Sequence, residues 1–128
     1  MYRYGRSKLA NILFTRALSK RLPANVFANV YFPGNIPTPA FNSMKDHFGE
    51  IFSDAFATVF RWIGQTLEEG AATGLFLAAA KEVECDDGRG GYWTPVARKE
   101  KSSGPAQDEA LAEELWIWSE EFVKKAIG

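Results

Sequence analysis

The apolar positions change period several times along the chain. Leu9, Ile12, Leu13, Phe14, Ala17, Leu18 and Leu22 recur at helical spacing and predict a helix over residues 4–22. So broad a stripe predicts burial on more than one side, and Pro23 ends it. Residues 25–32, Asn-Val-Phe-Ala-Asn-Val-Tyr-Phe, form a nearly unbroken apolar run. A strand buried on both faces in a parallel sheet has this pattern. Pro33-Gly34 breaks the run.

Residues 35–65 are less regular. After a proline-rich start, Phe48, Phe52, Phe56 and Phe60 recur every four residues with Ile51, Val59 and Ile63 beside them, a helical aromatic ridge. Such a ridge serves as core, as an apolar pocket wall or as a membrane-surface helix. Its polar positions, Ser53, Asp54 and Thr58, lack the basic residues of surface binders. Thr66-Leu67-Glu68-Glu69 has the capping-box pattern and predicts a helix to about Glu82. Its many Gly and Ala residues make that helix thin enough to lie close to a sheet. Asp86 to Gly91 reads as a turn, Tyr92, Trp93 and Val96 as a short strand ended by Pro95, and residues 98–105 as a polar loop. Leu111, Leu115, Trp118, Phe122 and Ala126 then mark a last helix over 106–127. Trp118 shares that stripe and is expected in the core. Trp116 points elsewhere, toward another part of the protein or a partner.

The order is helix, strand, lid-like segment, helix, strand, helix, the rhythm of a layered α/β protein. Two strands do not make a stable parallel sheet, so the pattern predicts part of a larger domain. Composition narrows the class further. The 128 residues are 46% hydrophobic and 24% charged with a net charge of -1, which excludes wholesale disorder and argues against general nucleic-acid binding. One cysteine, Cys85, and one histidine, His47, build neither an internal disulfide nor a usual zinc site. Cys85 precedes two acids, which disfavours a reactive thiolate, and His47 reads as solvated or capping. No apolar run is long enough to span a membrane, and a cytoplasmic location is the expectation. Charge is unevenly spread. Arg3, Arg6, Lys8, Arg16, Lys20 and Arg21 face no acid within residues 1–24, whereas acids dominate from Glu100 onward. Solvated helix faces account for this; a positive region near residues 3–8 that holds an anion is the functional alternative.

Tyr4 and Lys8 carry the candidate chemistry. Four residues apart on a helix, they share a face. A phenol ordinarily ionises near pH 10. An ammonium one turn away and a helix N-terminus both favour a phenolate, so a tyrosine in that setting can trade a proton with an alcohol or carbonyl oxygen.

The neighbouring residues add to this. Tyr4-Gly5-Arg6-Ser7-Lys8-Leu9-Ala10-Asn11 resembles the active-site helix of the short-chain dehydrogenase/reductase family, and Phe32-Pro33-Gly34-Asn35-Ile36-Pro37-Thr38 resembles that family's Pro-Gly segment after the next strand. Glu69-Gly70-Ala71-Ala72-Thr73, Gly91-Tyr92-Trp93 and Leu115-Trp116-Ile117-Trp118-Ser119-Glu120-Glu121 resemble later segments of the branch that includes retinol dehydrogenases and the WW domain-containing oxidoreductase. The resemblance covers essentially the whole chain. It implies the C-terminal portion of a Rossmann-type doubly wound parallel sheet within one α/β domain. Residues 1–34 would be active-site helix and strand, 35–65 the substrate lid, and 66–128 a helix, a short strand and the C-terminal helix.

By position, the resemblance makes Tyr4 the catalytic acid/base and Lys8 its partner, which also binds the nicotinamide ribose. It places Pro33, Gly34, Ile36 and Thr38 against an NADP (or NAD) cofactor, and Phe41, Phe48 and Phe52 in the pocket of an apolar small-molecule substrate. It implies an oxidoreductase interconverting an alcohol and a carbonyl. The family's glycine-rich phosphate loop, catalytic serine and relay asparagine have no match in these residues. The chain therefore reads as truncated and poorly able to hold a dinucleotide alone. The alternative expectation is a non-catalytic chain acting through homo-oligomer association. Peripheral membrane contact stays open, and a nucleic-acid partner is not expected.

Overall fold

A computed structural model of the chain describes residues 2–36, 64–85 and 88–128. The first helix, α1, runs Tyr2–Arg21, starting two residues before the expected boundary. Its last carbonyls would otherwise lack partners, as at any helix end. Arg89 supplies them: its guanidinium donates to the Ser19 carbonyl at 2.9 Å and the Leu22 carbonyl at 2.8 Å.

The last helix, α4, runs Glu109–Ile127. Asp108 caps it, accepting from the Leu111 N–H at 3.0 Å. It packs along α1, and the contact is the main core: Leu13, Ala17 and Ala112 are buried, with Leu9, Leu115 and Trp116 packed around them. Phe14 and Trp116 stack at 5.1 Å, and the Arg21 guanidinium lies 4.6 Å over the Trp116 ring. Two expectations change here. Trp116 is the tryptophan that meets the core, whereas Trp118 is 59% exposed and stacks on Phe122 at 5.4 Å. The α1 stripe is not buried all round: it packs mainly on α4, with the 3-10 turn Gly104–Gln107 and the strand Val30–Tyr31 also against α1, so Leu13 and Ala17 are buried and Phe14 stays 39% exposed.

The uneven charge has a structural origin. Glu109 pairs with Lys20 at 2.9 Å and with Arg16 at 3.5 Å, and Glu113 pairs with Arg21. Half of the basic α1 residues are thus matched by acids of α4. Arg3, Arg6 and Lys8 form no ion pair among the described residues.

The strands form a sheet of order β1-β2-β3, where β1 is Val30–Tyr31, β2 is Tyr92–Thr94 and β3 is Arg98–Glu100. β1 pairs with β2 in parallel, Val30 opposite Tyr92, as the pattern predicts. β3 pairs with β2 antiparallel, Trp93 opposite Lys99, so the sheet is mixed rather than parallel. The expected strand over 25–32 is pared to two residues, and Val26, Tyr31 and Phe32 are each about two-fifths exposed. Among the described residues β1 has a strand neighbour on one side only, which leaves its other side uncovered by them.

Helix α2, Leu67–Ala79, stops before the expected Glu82 because Ala80 turns extended, and a short α3, Glu82–Cys85, follows. The capping box is present in both directions: the Glu69 N–H donates to Thr66 Oγ1 at 3.1 Å and the Thr66 N–H to the Glu69 carboxylate at 3.0 Å. The helix is thin as expected. Tyr31 Oη lies 2.8 Å from where a Cβ on Gly74 would sit. Thr73, fully buried, accepts from the Ala97 N–H at 3.1 Å and ties the β2–β3 turn to α2. A 3-10 turn, Gly104–Gln107, leads into α4. The aromatic ridge of residues 48–60 and His47 lie outside the described residues.

Candidate active site

The first turns of α1 place Tyr4, Lys8 and Asn11 on one face, at the spacing of successive turns. Tyr4 is 70% exposed. The Lys8 ammonium sits over its ring, 5.3 Å from the centroid, a cation–π contact that holds the two groups together. Ser7 donates to the Tyr4 carbonyl at 2.7 Å and so turns away from solvent chemistry to its own helix.

Beside this face runs β1 and the bend after it. The Phe32 N–H donates to the Trp93 carbonyl at 2.8 Å, which fixes the strand up to the bend. Gly34 then takes φ 95°, a left-handed conformation open to glycine. A Cβ there would overlap the Gln65 side chain. That side chain holds the bend: the Asn35 N–H donates to Gln65 Oε1 at 3.0 Å, and the Gln65 N–H donates back to the Asn35 carbonyl at 3.1 Å.

Between the helix face and the bend lies a cavity of about 450 Å³. Tyr4, Lys8, Pro33 and Gly34 all line it, so the structure brings four of the sequence-predicted site residues to one place. Ile36 is not among the lining residues; its side chain instead fills the space left by the absent side chain of Gly70 on α2. Thr38, Phe41, Phe48 and Phe52 lie outside the described residues. Seven lining residues were not among the predicted site residues: Gly5, Asn11, Ile12, Val30, Tyr31, Phe32 and Tyr92. Asn11 was findable, seven residues after Tyr4 on the same face. Tyr92 was not, because it reaches the cavity only through the pairing of Val30 with Tyr92.

Chemically, the arrangement offers a phenol that can give or accept one proton, an ammonium with hydrogen bonds to donate, and aromatic walls from Tyr31, Phe32 and Tyr92. The glycine bend leaves backbone bare where a flat ring could lie close.

The chain is similar along nearly its whole length to several curated proteins. It is 39% identical to human retinol dehydrogenase 14 over 121 residues, 94% of this chain and 34% of that protein. It is 33% identical to the human WW domain-containing oxidoreductase over 129 residues, 100% of this chain and 29% of that protein. It is 30% identical to the short-chain dehydrogenase/reductase drtF of Aspergillus calidoustus over 133 residues, 96% of this chain and 40% of that protein. The chain thus spans about a third of the length of the relatives it matches. No family model matches it, and no solved structure does. Along its whole length the chain is thus similar to oxidoreductases of the short-chain dehydrogenase/reductase family.

Proposed function

We propose that the chain carries the proton-transfer half of an NAD(P)-dependent oxidoreductase that interconverts an alcohol and a carbonyl on an apolar small molecule. The observation that carries this reading is the meeting of Tyr4, Lys8 and the Pro33-Gly34 bend around one cavity. Tyr4 gives its phenol proton to a carbonyl oxygen or takes one from an alcohol. Lys8, over the ring, stabilises negative charge on the phenol oxygen and donates to hydroxyl groups of a sugar. Tyr31, Phe32 and Tyr92 give the cavity apolar walls that favour a hydrophobic substrate and exclude water.

The cofactor fits these residues in part. A cavity of about 450 Å³ with a bare glycine bend and one ammonium suits a nicotinamide riboside end. The 128 residues contain no G-x-G-x-x-G loop to grip the pyrophosphate. When bound, a nicotinamide supplies the hydride. The chain's own part is to seat the ring end, orient the substrate oxygen toward Tyr4 and move the proton. Residues 35–65 are assigned the lid over the substrate, with Phe41, Phe48 and Phe52 as pocket wall and Thr38 on the cofactor.

The test is NADPH-dependent reduction of hydrophobic aldehydes and ketones by a protein that joins these residues to a glycine-rich nucleotide-binding half, compared with its Tyr4→Phe variant. Loss of turnover by at least about 100-fold, with nucleotide affinity unchanged, is the expected result. Equal turnover removes Tyr4 from the mechanism.

A second reading, association without catalysis, is favoured by one observation. In the parallel ladder, Ala28, Val30 and Phe32 bond toward β2, which leaves the backbone groups of Asn29 and Tyr31 on the outer side of a strand with no second neighbour among the described residues. Such an edge is a template for another strand.

A further inference from the structure

One side chain holds the bend after β1 from outside the cavity. Pro33 and Gly34 line the cavity with Tyr4 and Lys8, and Gln65 does not. Gln65 instead closes a ring of two hydrogen bonds with Asn35, 30 residues away in the chain. The Asn35 N–H donates to Gln65 Oε1 at 3.0 Å, and the Gln65 N–H donates to the Asn35 carbonyl at 3.1 Å.

Gln65 and Gly34 are matched to each other. The Gln65 amide oxygen occupies the place where a side chain on Gly34 would begin. At φ 95° glycine adopts the bend without strain, and its bare Cα lets that amide come close. Gln65 is itself anchored, because it precedes Thr66, whose hydroxyl closes the capping box of α2 with Glu69. The other flank of the bend rests on the same helix. Ile36 fills the space above Gly70, and the Pro33 carbonyl lies 3.3 Å from where a Gly70 Cβ would sit. The bend is thus clasped between Gln65 and Gly70, both at the start of α2.

We propose that Gln65 is a positioning residue for the nicotinamide end of the cavity. Its side-chain amide fixes the Pro33-Gly34-Asn35 bend in the shape that receives the ring and ties that shape to the first turn of α2. This role rests on the reading of the cavity as a nicotinamide site. Gln65 touches no ligand and acts only through the backbone it holds. Without its oxygen the Asn35 N–H loses its acceptor, and Gly34 is free to leave its left-handed conformation. A ring would then have to order the bend as it binds, which weakens affinity. Proton transfer by Tyr4, on the opposite wall, is unchanged once the ring is seated. A neutral amide also matters here. A carboxylate of the same length would keep the acceptor but place a negative charge behind the ring, which favours the cationic oxidised nicotinamide over the neutral reduced one.

The test compares Gln65→Leu and Gln65→Glu in the protein that joins these residues to a glycine-rich nucleotide-binding half, with amide hydrogen exchange read on the 128-residue chain. Gln65→Leu should raise both the Kd and the KM for NADPH by about tenfold while kcat stays within about threefold. Exchange of the Asn35 amide should speed up by about tenfold or more. Gln65→Glu should keep that amide protected and restore NADP+ binding to within about threefold of the parent, while the preference for NADPH over NADP+ falls by about threefold to tenfold. The helical circular dichroism of both variants should match the parent, because the Thr66–Glu69 box is intact.

Unchanged nucleotide affinity in Gln65→Leu overturns the proposal. So does a lower kcat at constant KM, which would put Gln65 in the chemical step. A lower melting temperature with both kinetic constants unchanged would make Gln65 a brace of α2 alone and overturns it as well. If Tyr4→Phe abolishes turnover while Gln65→Leu binds NADPH like the parent, this role falls and the functional reading stands. A parent protein that binds no nucleotide overturns both.

Discussion

Gly5 and Gly34 both line the cavity yet do opposite things. At Gly5 a Cβ would meet nothing within 4 Å, and the residue sits in a helix where glycine costs about 1 kcal/mol relative to alanine. At Gly34 the backbone is left-handed and the Cβ position is taken by Gln65. Gly5→Ala should therefore raise the melting temperature by several degrees, and Gly34→Ala should lower it, costing about 1–2 kcal/mol. Thermal melts of the two variants decide this; the same sign for both would contradict the geometry. At this scale Tyr4 and Lys8 were legible in the sequence because helical spacing alone puts them on one face. The packing of Ile36 was not legible, because what lies under it is set by Gly70, more than thirty residues away.

Among the elements, those with strong local signals were read well and those set by partners were not. The capping box at Thr66 fixes the start of α2 from four residues, and α1 follows from its stripe and Pro23. β3 left no apolar signal: Arg98, Lys99 and Glu100 are all exposed, as on a guarded sheet edge. Trp116 and Trp118 were exchanged because both lie on apolar faces of α4, and only the position of α1 decides which is buried. The α1–α4 pairing also carries a pH signature. The hydrogen bond and charge of Lys20 hold the Glu109 carboxyl below its ordinary value of 4.5, with Arg16 adding to the effect. A lowered folded value gives stability that is present above the unfolded value and lost as pH falls through the folded one. The pair is solvent-exposed, so the effect is small and screened by salt. Unfolding of Glu109→Gln, followed from pH 7 down to pH 3, should show a shallower loss of stability than the parent, and the difference should shrink at high salt. Parallel curves would remove this pair from the acid response.

For the whole molecule, the two folded regions are unequal. The α1–α4 pair holds half of the buried apolar side chains among the described residues, whereas the sheet they show is short, mixed and open at β1. That open edge and the absence of a phosphate-gripping loop from these 128 residues lead to one joint expectation. The purified chain should associate with increasing concentration in sedimentation and show no saturable NADPH binding up to about 1 mM, an affinity limit near 4 kcal/mol. A monomer that binds NADPH tightly would overturn both halves. No described helix is long and apolar enough to cross a membrane.

Arg89 fixes one end of α1. Its guanidinium clasps the carboxyl end of α1, at Ser19 and Leu22, to the loop before β2, while Tyr4 stands some four turns away with no acidic side chain in the first turn to pin it. The packing of α1 on α4 reaches back to Leu9, so the turn that carries Tyr4 projects beyond it. A ligand seated between Tyr4 and the glycine bend would tie that turn to the sheet.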